Sequence, residues 1–318
     1  MTDFPLYDRA AVERWLDYPG CIAAVREAMR RFSTDAIEQP LRQIMETAPD
    51  RLFALMPGML GAEQGFGVKV VTAFADPDRP GRSAHRGLVL LFDPDTGAVA
   101  AMGDAGAITE IRTASATAVA TDALAQPDAR TLGVFGCGAQ AASHLRAIPL
   151  VRSLDEVRVW GRDPARAEAF ARRAAAETGL PVRAVRDPRE AADTDIVTTV
   201  TGSAQPVLFA AWLRPGTHVN LVGSSYAGPV EADHALVAQS RFIVDSRRSA
   251  LAAAAEFLAA RDAGLVGDDH IAAEIGAVIA GTVPGRTHAD EITVYKSLGH
   301  IVQDLAALAL LRQRCPLP

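Results

Sequence analysis

Residues 131–141 read TLGVFGCGAQA, and this stretch decides the fold. An apolar run ends at Phe135 and leads into Gly136-x-Gly138-x-x-Ala141, after which the sequence is typical of a helix. A dinucleotide-binding loop requires this strand–turn–helix context. Gly136 permits the tight turn, Gly138 lets the backbone approach a pyrophosphate, and Ala141 allows the helix to pack closely on the strand. An ordinary tight turn is the alternative for this segment, because two glycines and an alanine recur by chance in an alanine-rich chain.

The composition is that of a packed globular protein. Hydrophobic residues make up 49% of the 318 residues, and this length is enough for two domains with substantial cores. The formal net charge is −6 without a basic block, which argues against a nucleic-acid partner. No apolar run reaches the length of a membrane span and the N-terminus has no apolar signal core, so we expect a cytoplasmic protein without a membrane partner.

Cysteine and histidine spacing predicts no metal site. The three cysteines, Cys21, Cys137 and Cys315, are far apart and match no metal or redox motif, and the seven histidines form no paired ligand motif. Cys137 lies inside the glycine loop, where a small residue suffices, so we interpret it as a packing residue.

The first part of the chain predicts helices followed by an antiparallel sheet. Residues 1–30 place apolar side chains at helical spacing. Turn-forming residues then separate short apolar or alternating runs, which predict strands at 41–45, 52–56, 66–74, 87–92 and 98–102. Residues 105–125 predict a long alanine-rich helix.

From residue 131 strands and helices alternate, which predicts a parallel, doubly wound sheet of Rossmann type. The predicted strands are 131–135, 157–160, 182–185, 195–200, 218–222 and 241–244, with helices at 139–150 and 164–178. A further strand-like piece at 292–295 precedes an amphipathic helix. We therefore predict an α/β protein of two domains, an α+β domain over 1–115 that is completed by 290–318, and a dinucleotide-binding domain over 116–289.

Two cationic residues of the first domain are candidates for a carboxylate site. Lys69 lies in the middle of the apolar run FGVKVV at 66–71. Because burying an unpaired ammonium is costly, Lys69 must face a cleft, an anion or water, and a strand with one wet face is the alternative. Arg42 follows Pro40 at the start of the predicted sheet. Arginine can bind a carboxylate through two parallel hydrogen bonds, with an ordinary surface arginine as the alternative.

Two further positions carry cations next to predicted helices. Arg112 has small neighbours in ITEIRTASATA, so close packing there directs its charge into a site, where we expect a phosphate; surface placement is the alternative. Lys296 and Ser297 lie just before the last predicted helix, where both can meet a ligand, although helix capping explains Ser297 equally well.

The end of the second strand of the alternating region indicates the type of dinucleotide. An NAD site usually places Asp or Glu about 20 residues beyond the glycine loop, where it bonds the ribose 2′-OH. Here Trp160 is followed by Gly161, Arg162 and Asp163. The arginine favours a 2′-phosphate and therefore NADP, while Asp163 leaves NAD open.

Several segments together resemble the ornithine cyclodeaminase/mu-crystallin family. They occur in the family's order across nearly the whole chain, as QPLR at 39–42, LMP at 55–57, GVK at 67–69, HRGLVLLF at 85–92, IT at 108–109, RTA at 112–114, the glycine loop, VNLVG at 219–223 and YKSLG at 295–299. Around Trp160-Gly161-Arg162 the chain is most similar to the mu-crystallin-like ketimine reductases of that family.

The resemblance implies a homodimer in which the first domain and the C-terminal tail supply the substrate residues and the dimer interface. It implies a Rossmann domain that holds NAD(P), for which Arg162 favours NADP as argued above. It assigns the substrate carboxylate to Arg42 and Lys69, which become the catalytic candidates, and adds Met56 to the substrate pocket. The residues that it places around the cofactor are His85, Arg112, Thr113, Gly136, Gly138, Ala139, Gln140, Gly161, Arg162, Thr199, Val200, Thr201, Val222, Ser225 and Lys296.

One departure within the family pattern separates two activities. Cyclodeaminases carry an aspartate two residues after the glycine that matches Gly223, and this chain has Ser225 there. Serine cannot act as a carboxylate base near neutral pH. We therefore expect an NAD(P)H-dependent reductase of a small carboxylate-bearing imine, such as pyrroline- or piperideine-2-carboxylate, or the reverse amino-acid dehydrogenase.

Two alternatives stay open. The first is an ornithine cyclodeaminase that forms proline and ammonia with catalytic NAD, which would need Asp233 to replace the missing aspartate. The second is a mu-crystallin-type protein that binds a cofactor or small ligand with little turnover.

Overall fold

A computed structural model describes residues 5–35, 37, 39–49, 51–75 and 83–315. The chain forms two compact units. The first unit consists of Met1–Thr113 with His300–Pro318, and the second unit consists of Ala114–Gly299. Each unit has its own sheet.

The strands and helices follow one another in the order that the sequence pattern predicts for most of the chain. The strands are β1 (Leu6–Tyr7), β2 (Gln43–Ala48), β3 (Arg51–Gly61), β4 (Gly65–Ala75), β5 (Ser83–Phe92), β6 (Val99–Asp104), β7 (Thr131–Phe135), β8 (Glu156–Trp160), β9 (Val182–Ala184), β10 (Ile196–Thr199), β11 (His218–Leu221), β12 (Arg241–Val244), β13 (Ile271–Glu274) and β14 (Thr293–Lys296). The helices are α1 (Arg9–Trp15), α2 (Tyr18–Thr34), α3 (Ala105–Leu124), α4 (Ala139–Ala147), α5 (Pro164–Thr178), α6 (Pro188–Ala192), α7 (His234–Gln239), α8 (Arg247–Ala253), α9 (Ala255–Asp262), α10 (Ile275–Ile279) and α11 (Ile301–Arg314).

The first unit contains a six-stranded sheet in the order β1-β6-β5-β4-β3-β2. Its strands β2 to β6 pair antiparallel with their neighbours, as predicted, and β1 adds a parallel edge beside β6. Of residues 1–30, predicted as helical, residues 1–4 lie outside the described part of the chain. The described residues form β1 and then two helices, because Asp17 caps a new helix, α2, with Pro19 in its first turn.

Glycines on one face of this sheet let α11 pack directly against the strands. Gly58 and Gly67 are cross-strand partners in β3 and β4. A Cβ atom at Gly67 would lie 2.6 Å from Leu305, and one at Gly58 would overlap Ile301. Since Ile301 and Leu305 are four residues apart, they share the face of α11 that also carries Asp304. The helix therefore presents Asp304 toward the sheet.

The second unit contains an eight-stranded sheet in the order β13-β12-β14-β11-β10-β7-β8-β9. All of its strand pairs are parallel, so the predicted doubly wound α/β sheet is confirmed. From β7 the chain moves outward through β8 and β9, and then returns to place β10 on the other side of β7. A sheet of this kind binds ligands where its strand order reverses, outside the carboxyl ends of the strands.

Strand β14 lies inside the parallel sheet, between β11 and β12. This differs from the expectation that the chain from residue 290 completes the first domain. Val294 and Tyr295 are fully buried, as expected for a central parallel strand that is covered on both faces. The chain rejoins the first unit only at His300.

Two apolar clusters form the core of the second unit, one on each face of its sheet. Leu132 and Val134 of β7 belong to one cluster, and the next residue, Phe135, belongs to the other. The same alternation separates Ile196 from Val197 in β10. Throughout the described parts of the chain, no helix is both long and apolar enough to cross a membrane.

Candidate functional site

The glycine loop lies at the point where the strand order of the second unit reverses. Gly136 has φ of 121°, and a Cβ there would lie 2.8 Å from the carbonyl oxygen of Val200. Gly138 is the N-cap of α4, makes no side-chain capping bond, and has open space where a Cβ would stand. The first N–H groups of α4 are therefore available to an anion, and the loop fits a pyrophosphate.

The turn after β8 contains Arg162 and Asp163, which differ in their contacts. The Asp163 carboxylate caps α5, where its Oδ1 accepts hydrogen bonds from Ala165 N at 3.0 Å and Arg166 N at 3.2 Å. Arg162 is exposed, and its side chain makes no hydrogen bond or ion pair within the described ranges. Gly161 packs beside the glycine loop, since a Cβ there would lie 3.3 Å from Cys137 Sγ.

Glu231 joins the loops that follow β10 and β11. Its Oε1 accepts hydrogen bonds from Thr201 N at 2.7 Å and Thr201 Oγ1 at 2.8 Å. Its Oε2 accepts from Thr199 Oγ1 and from Gly223 N, both at 2.7 Å. A Cβ at Gly223 would overlap both Thr201 and Glu231, so only glycine fits this junction. The carboxylate thereby fixes the two loops that contain the predicted cofactor residues Val200, Thr201, Val222 and Ser225.

Lys296 ends β14 beside a second buried carboxylate. Its Nζ lies 2.7 Å from Glu256 Oε2, and both side chains are fully buried, although the alignment is too poor for a hydrogen bond. Glu256 Oε1 accepts a hydrogen bond from Glu231 N at 3.1 Å. Burial raises the pKa of Glu231, and the charge of Glu256 raises it further, while the charge of Lys296 lowers it.

The other predicted cofactor residues of the second unit follow the same edge of the sheet. They are Ala139 and Gln140 at the start of α4, Val200 after β10, Val222 after β11, and Ser225 in the loop beyond. Gln140 Oε1 is buried and has no hydrogen-bond partner in the part of the chain that is described.

In the first unit, Lys69 and Arg112 meet on one carboxylate. Lys69 Nζ donates to Asp304 Oδ1 at 2.9 Å and to Thr109 Oγ1 at 2.5 Å. Arg112 Nε donates to the same Asp304 oxygen at 3.0 Å, and its Nη1 donates to Gln303 Oε1 at 2.8 Å. Lys69 and Arg112 are each 4% exposed and Asp304 is fully buried.

The charges of this cluster shift the pKa values of its members. Burial lowers the pKa of Lys69 to about 8, against the opposing attraction of Asp304. Burial also disfavours the charged form of Asp304, but Arg112 and Lys69 outweigh it and hold the pKa of this carboxyl below its usual range. His300 caps α11, and burial lowers its pKa to about 3, so its imidazole is neutral near pH 7.

The remaining predicted residues of the first unit lie around this cluster or outside the described atoms. Met56 of β3 is the cross-strand partner of Lys69. Arg42 directly precedes β2, and its charge contributes to the lowered pKa values of both Lys69 and His300. Thr113 is buried next to Arg112. The side chain of His85 lies outside the described residues.

The structure pairs the Arg112 guanidinium with Asp304 and Gln303 and so groups it with Lys69. The contact of Arg112 with a cofactor phosphate stays a prediction. Sequence reasoning considered the small neighbours of Arg112 on α3 but not the polar side chains that another helix brings to it.

Comparison with known proteins decides the family. The sequence model of the ornithine cyclodeaminase/mu-crystallin family matches residues 5–316. The chain belongs to the ornithine cyclodeaminase/mu-crystallin family. The mouse ketimine reductase mu-crystallin is 36% identical over 294 residues, which cover 91% of this chain and 90% of the mouse protein.

Solved structures of similar length show the same fold. Thermococcus litoralis Delta(1)-pyrroline-2-carboxylate reductase, in complex with NADH and L-proline, matches with a TM-score of 0.93 at 30% identity over 98% of this chain and 97% of its own. An archaeal alanine dehydrogenase dimer with bound NAD matches with a TM-score of 0.90 at 29% identity over 98% of this chain and 95% of its own.

The structure shows what Asp233, the alternative to the aspartate expected of a cyclodeaminase, does in this chain. Asp233, the alternative, caps α7: its Oδ1 accepts hydrogen bonds from Leu236 N at 3.1 Å and Ala210 N at 3.0 Å. Ser225 is half-buried in the loop after β11. The carboxylate of Asp233 therefore has a structural role.

Four polar residues of these clusters were missed by sequence reasoning, namely Asp304, Gln303, Glu231 and Glu256. One of them had a signal. Asp304 follows Ile301 by three residues and precedes Leu305 and Leu308, so an acidic residue occupies the apolar stripe of a helix. No comparable pattern marks Glu231, whose partners come from two separate loops. Among the residues with described positions, no group of three or more His, Cys, Asp or Glu side chains could hold a metal ion.

Proposed function

We propose that this chain is an NAD(P)H-dependent reductase of a small imine that bears a carboxylate. Cyclic ketimines such as pyrroline- or piperideine-2-carboxylate are the substrate class, and the reverse reaction is an amino-acid dehydrogenase. The observation that carries the proposal is the buried pair Lys69–Arg112, in which two cations share one carboxylate and retain donors for a second anion. The names of the mouse and Thermococcus relatives support this reaction class.

Arg42 and Lys69 act first by binding the substrate carboxylate. A fixed carboxylate sets the position of the adjacent imine carbon, and such positioning supplies much of the rate of an enzymatic reaction. Lys69, whose pKa is lowered to about 8, keeps its proton near neutral pH and can give it to the imine nitrogen. Met56, opposite Lys69 on β3, contributes an apolar wall to the pocket.

The residues of the second unit hold the dinucleotide in this proposal. The open space at Gly138 and the free N–H groups at the start of α4 bind the pyrophosphate. The loops joined by Glu231 line the nicotinamide side. When bound, the nicotinamide supplies the hydride that reduces the imine carbon.

NADPH is the preferred cofactor in this proposal. Asp163 is engaged in capping α5, while the Arg162 side chain is exposed and available to a 2′-phosphate. The change Arg162→Ala should narrow the difference in binding free energy between NADPH and NADH by about 1–3 kcal/mol, the value of a hydrogen bond to a charged group. Fluorescence titration with both cofactors measures this, and Arg172→Ala, which removes an exposed arginine within α5, is the control. A parent protein that already prefers NADH contradicts the assignment.

One experiment separates the proposed reductase from its rivals. The purified protein is incubated with NADPH and a cyclic ketimine, and in parallel with ornithine and NAD. We expect stoichiometric oxidation of NADPH and a saturated cyclic amino acid in the first reaction, with neither proline nor ammonia in the second. A cyclodeaminase would release ammonia without net consumption of cofactor, and a binding protein would do neither. Efficient conversion of ornithine to proline would overturn the proposal, and its loss in Asp233→Asn would identify the substitute carboxylate.

A homodimer is the proposed assembly. The face of the first unit's sheet opposite Lys69 is apolar: Phe66 and Leu88 are 43% and 36% exposed, and the rings of Phe66 and Phe92 stack at 5.4 Å. A contiguous exposed apolar face of this kind marks an interface, and the archaeal alanine dehydrogenase neighbour is a dimer. Light scattering should give twice the monomer mass, and Leu88→Glu should give the monomer. The cytoplasm remains the proposed compartment, on the sequence grounds above.

A further inference from the structure

The Asp304 carboxylate uses one oxygen for two cations. Lys69 Nζ and Arg112 Nε lie 2.9 and 3.0 Å from Oδ1. The other oxygen, Oδ2, is buried and accepts no hydrogen bond from the described part of the chain. We propose that Asp304 is a positioning residue that holds Lys69 and Arg112 side by side for the substrate carboxylate and keeps Lys69 protonated. The inference rests on the proposed function and names a residue that acts on the substrate only through its two partners.

Lys69 and Arg112 have N–H groups that no acceptor in the cluster uses. Thr109 Oγ1 donates its only proton to the carbonyl oxygen of Ala105 at 2.6 Å, so it must accept from Lys69. Two of the three N–H groups of Lys69 are therefore used, by Asp304 and Thr109, and one remains. Arg112 uses Nε on Asp304 and one Nη1 proton on Gln303, and the rest of its five N–H groups remain for an acceptor. A carboxylate has two acceptor oxygens, so it can accept hydrogen bonds from the remaining N–H groups of both Lys69 and Arg112.

The charges around Lys69 explain why a carboxylate is needed behind it. Burial, Arg112 and Arg42 all favour loss of its proton, and Asp304 alone opposes them. The neighbouring His300 is neutral near pH 7 and adds no compensating charge. Without the negative charge of Asp304, Lys69 would lose its proton near neutral pH and could neither attract a carboxylate nor give a proton to an imine.

A merely structural ion pair makes a different prediction. If Asp304 only tied α11 to the sheet, its replacement would reduce stability and affinity at every pH to the same extent. If it sustains the charge of Lys69, replacement must move the pH at which affinity for a carboxylate is lost. The midpoint of that loss is therefore the readout that separates the two roles.

The test measures binding of pyrrole-2-carboxylate, a planar carboxylate that cannot be reduced as an imine, by calorimetry from pH 5 to 10 with NADPH present. The parent should lose affinity with a midpoint near the Lys69 pKa of about 8. Asp304→Asn preserves the shape and an acceptor oxygen but removes the charge. Its midpoint should fall by about 1–3 pH units, as when an opposite charge within hydrogen-bond distance is removed. An unchanged midpoint in Asp304→Asn overturns the inference.

Two matched variants sharpen the result. Gln303→Met removes a neutral acceptor from Arg112 and should weaken binding at every pH without moving the midpoint. Lys69→Arg keeps a cation at all these pH values, so the alkaline loss should disappear, and adding Asp304→Asn should not restore it. If Asp304→Asn does not fold, Asp304→Glu replaces it and should keep the midpoint of the parent with lower affinity; a lowered midpoint there contradicts the inference.

This inference and the proposed reductase activity fail in distinguishable ways. A parent that binds the probe with the expected midpoint but reduces no imine removes the proposed function and keeps the role of Asp304. A parent that reduces imines while Asp304→Asn keeps its midpoint removes the role of Asp304 and keeps the function. A parent that does not bind the probe at any pH overturns the inference.

Discussion

The first unit places cations around one buried carboxylate, and the second unit places two buried carboxylates near one lysine. In the first unit, Lys69 and an arginine share Asp304. In the second unit, Lys296 pairs with Glu256, and Glu256 accepts a hydrogen bond from the backbone of Glu231. The two clusters contain the same kinds of group in opposite proportions.

The ratio of cations to carboxylates determines what each cluster can bind. A cluster with excess cations keeps N–H donors that no protein acceptor uses, so it can bind an anion. A cluster with excess carboxylates must satisfy them internally, and Glu231 does so with backbone N–H groups of two loops. We infer that the first cluster serves a ligand and that the second fixes the loops around one.

Removing the lysine from each cluster should give the largest contrast. Lys296→Met leaves Glu256 and Glu231 without a buried cation, and breaking a buried ion pair costs about 3–5 kcal/mol of unfolding free energy. Lys69→Met should cost less stability, because Asp304 keeps Arg112. It should instead remove about 2–5 kcal/mol of binding free energy for the carboxylate probe, as for loss of one member of a buried charge pair. Urea unfolding and calorimetry measure the two effects.

The Lys296→Met protein should also regain stability as the pH is lowered, because burial raises the pKa of Glu231 and its protonation removes a buried charge that the lysine no longer compensates. Equal losses of stability in Lys69→Met and Lys296→Met would show that the ratio of cations to carboxylates does not distinguish the two clusters.

Glu231→Gln should have a smaller effect, confined to the second unit. Each oxygen of Glu231 accepts one backbone N–H, from Thr201 and from Gly223. Whichever way the glutamine amide turns, its NH2 group meets one of these donors, and an unsatisfied buried donor costs about 1–3 kcal/mol. We expect weaker NADPH binding with unchanged affinity for the carboxylate probe in the first unit. Calorimetry with both ligands checks this, and a loss confined to the probe would reverse the assignment of the two clusters.

The buried histidines of the two units give a test that depends on pH. The second unit contains His144 and His218, whose pKa values burial lowers to about 4 and about 3, and the first unit contains His300, lowered to about 3. The unfolded chain takes up protons as the pH falls below about 6.5, whereas the folded chain does not. The free energy of unfolding should therefore fall from pH 6.5 toward pH 4, by up to about 1.4 kcal/mol per pH unit for each histidine.

The change His144→Gln should reduce the slope of unfolding free energy against pH by the contribution of one histidine. Its ring contacts Gln140 O and Thr117 Oγ1, and a glutamine amide can bond both kinds of group. Urea titrations at pH 7, 6 and 5 measure the slope. A slope as steep as that of the parent would show that His144 does not stay neutral in the folded state.

The sequence predicted the second unit well because parallel strands are continuous apolar runs between glycines and polar turns. β7 was predicted at 131–135 and is observed there, and β12 was predicted at 241–244 and is observed there. β14 was recognised as a strand but assigned to the other domain, because its partners β11 and β12 are distant in sequence. A local pattern predicts that a strand forms but not which strands it pairs with.

The candidate site residues could be predicted only where a residue type is unusual for its local secondary structure. Lys69 interrupts an apolar strand, and Gly136 and Gly138 interrupt a strand–helix transition, so both were recognised. The partner of Lys69 could not be deduced, since Asp304 lies 235 residues away. Neither could the role of Glu231, which depends on two loops meeting in space.

The discontinuous first unit has a consequence for synthesis of the chain. The second unit is one continuous stretch of the chain. The first unit also needs α11, from near the C-terminus, to cover the sheet that contains Lys69. At a translation rate of about 5–20 residues per second, Asp304 leaves the ribosome about 10–50 seconds after Lys69. During that interval Lys69 and Arg112 are two like charges without their shared carboxylate, and the glycine-lined face of the sheet has no helix over it. The cluster of Lys69, Arg112 and Asp304 is therefore among the last parts of the protein to form, and a nascent chain that stops short of α11 lacks it.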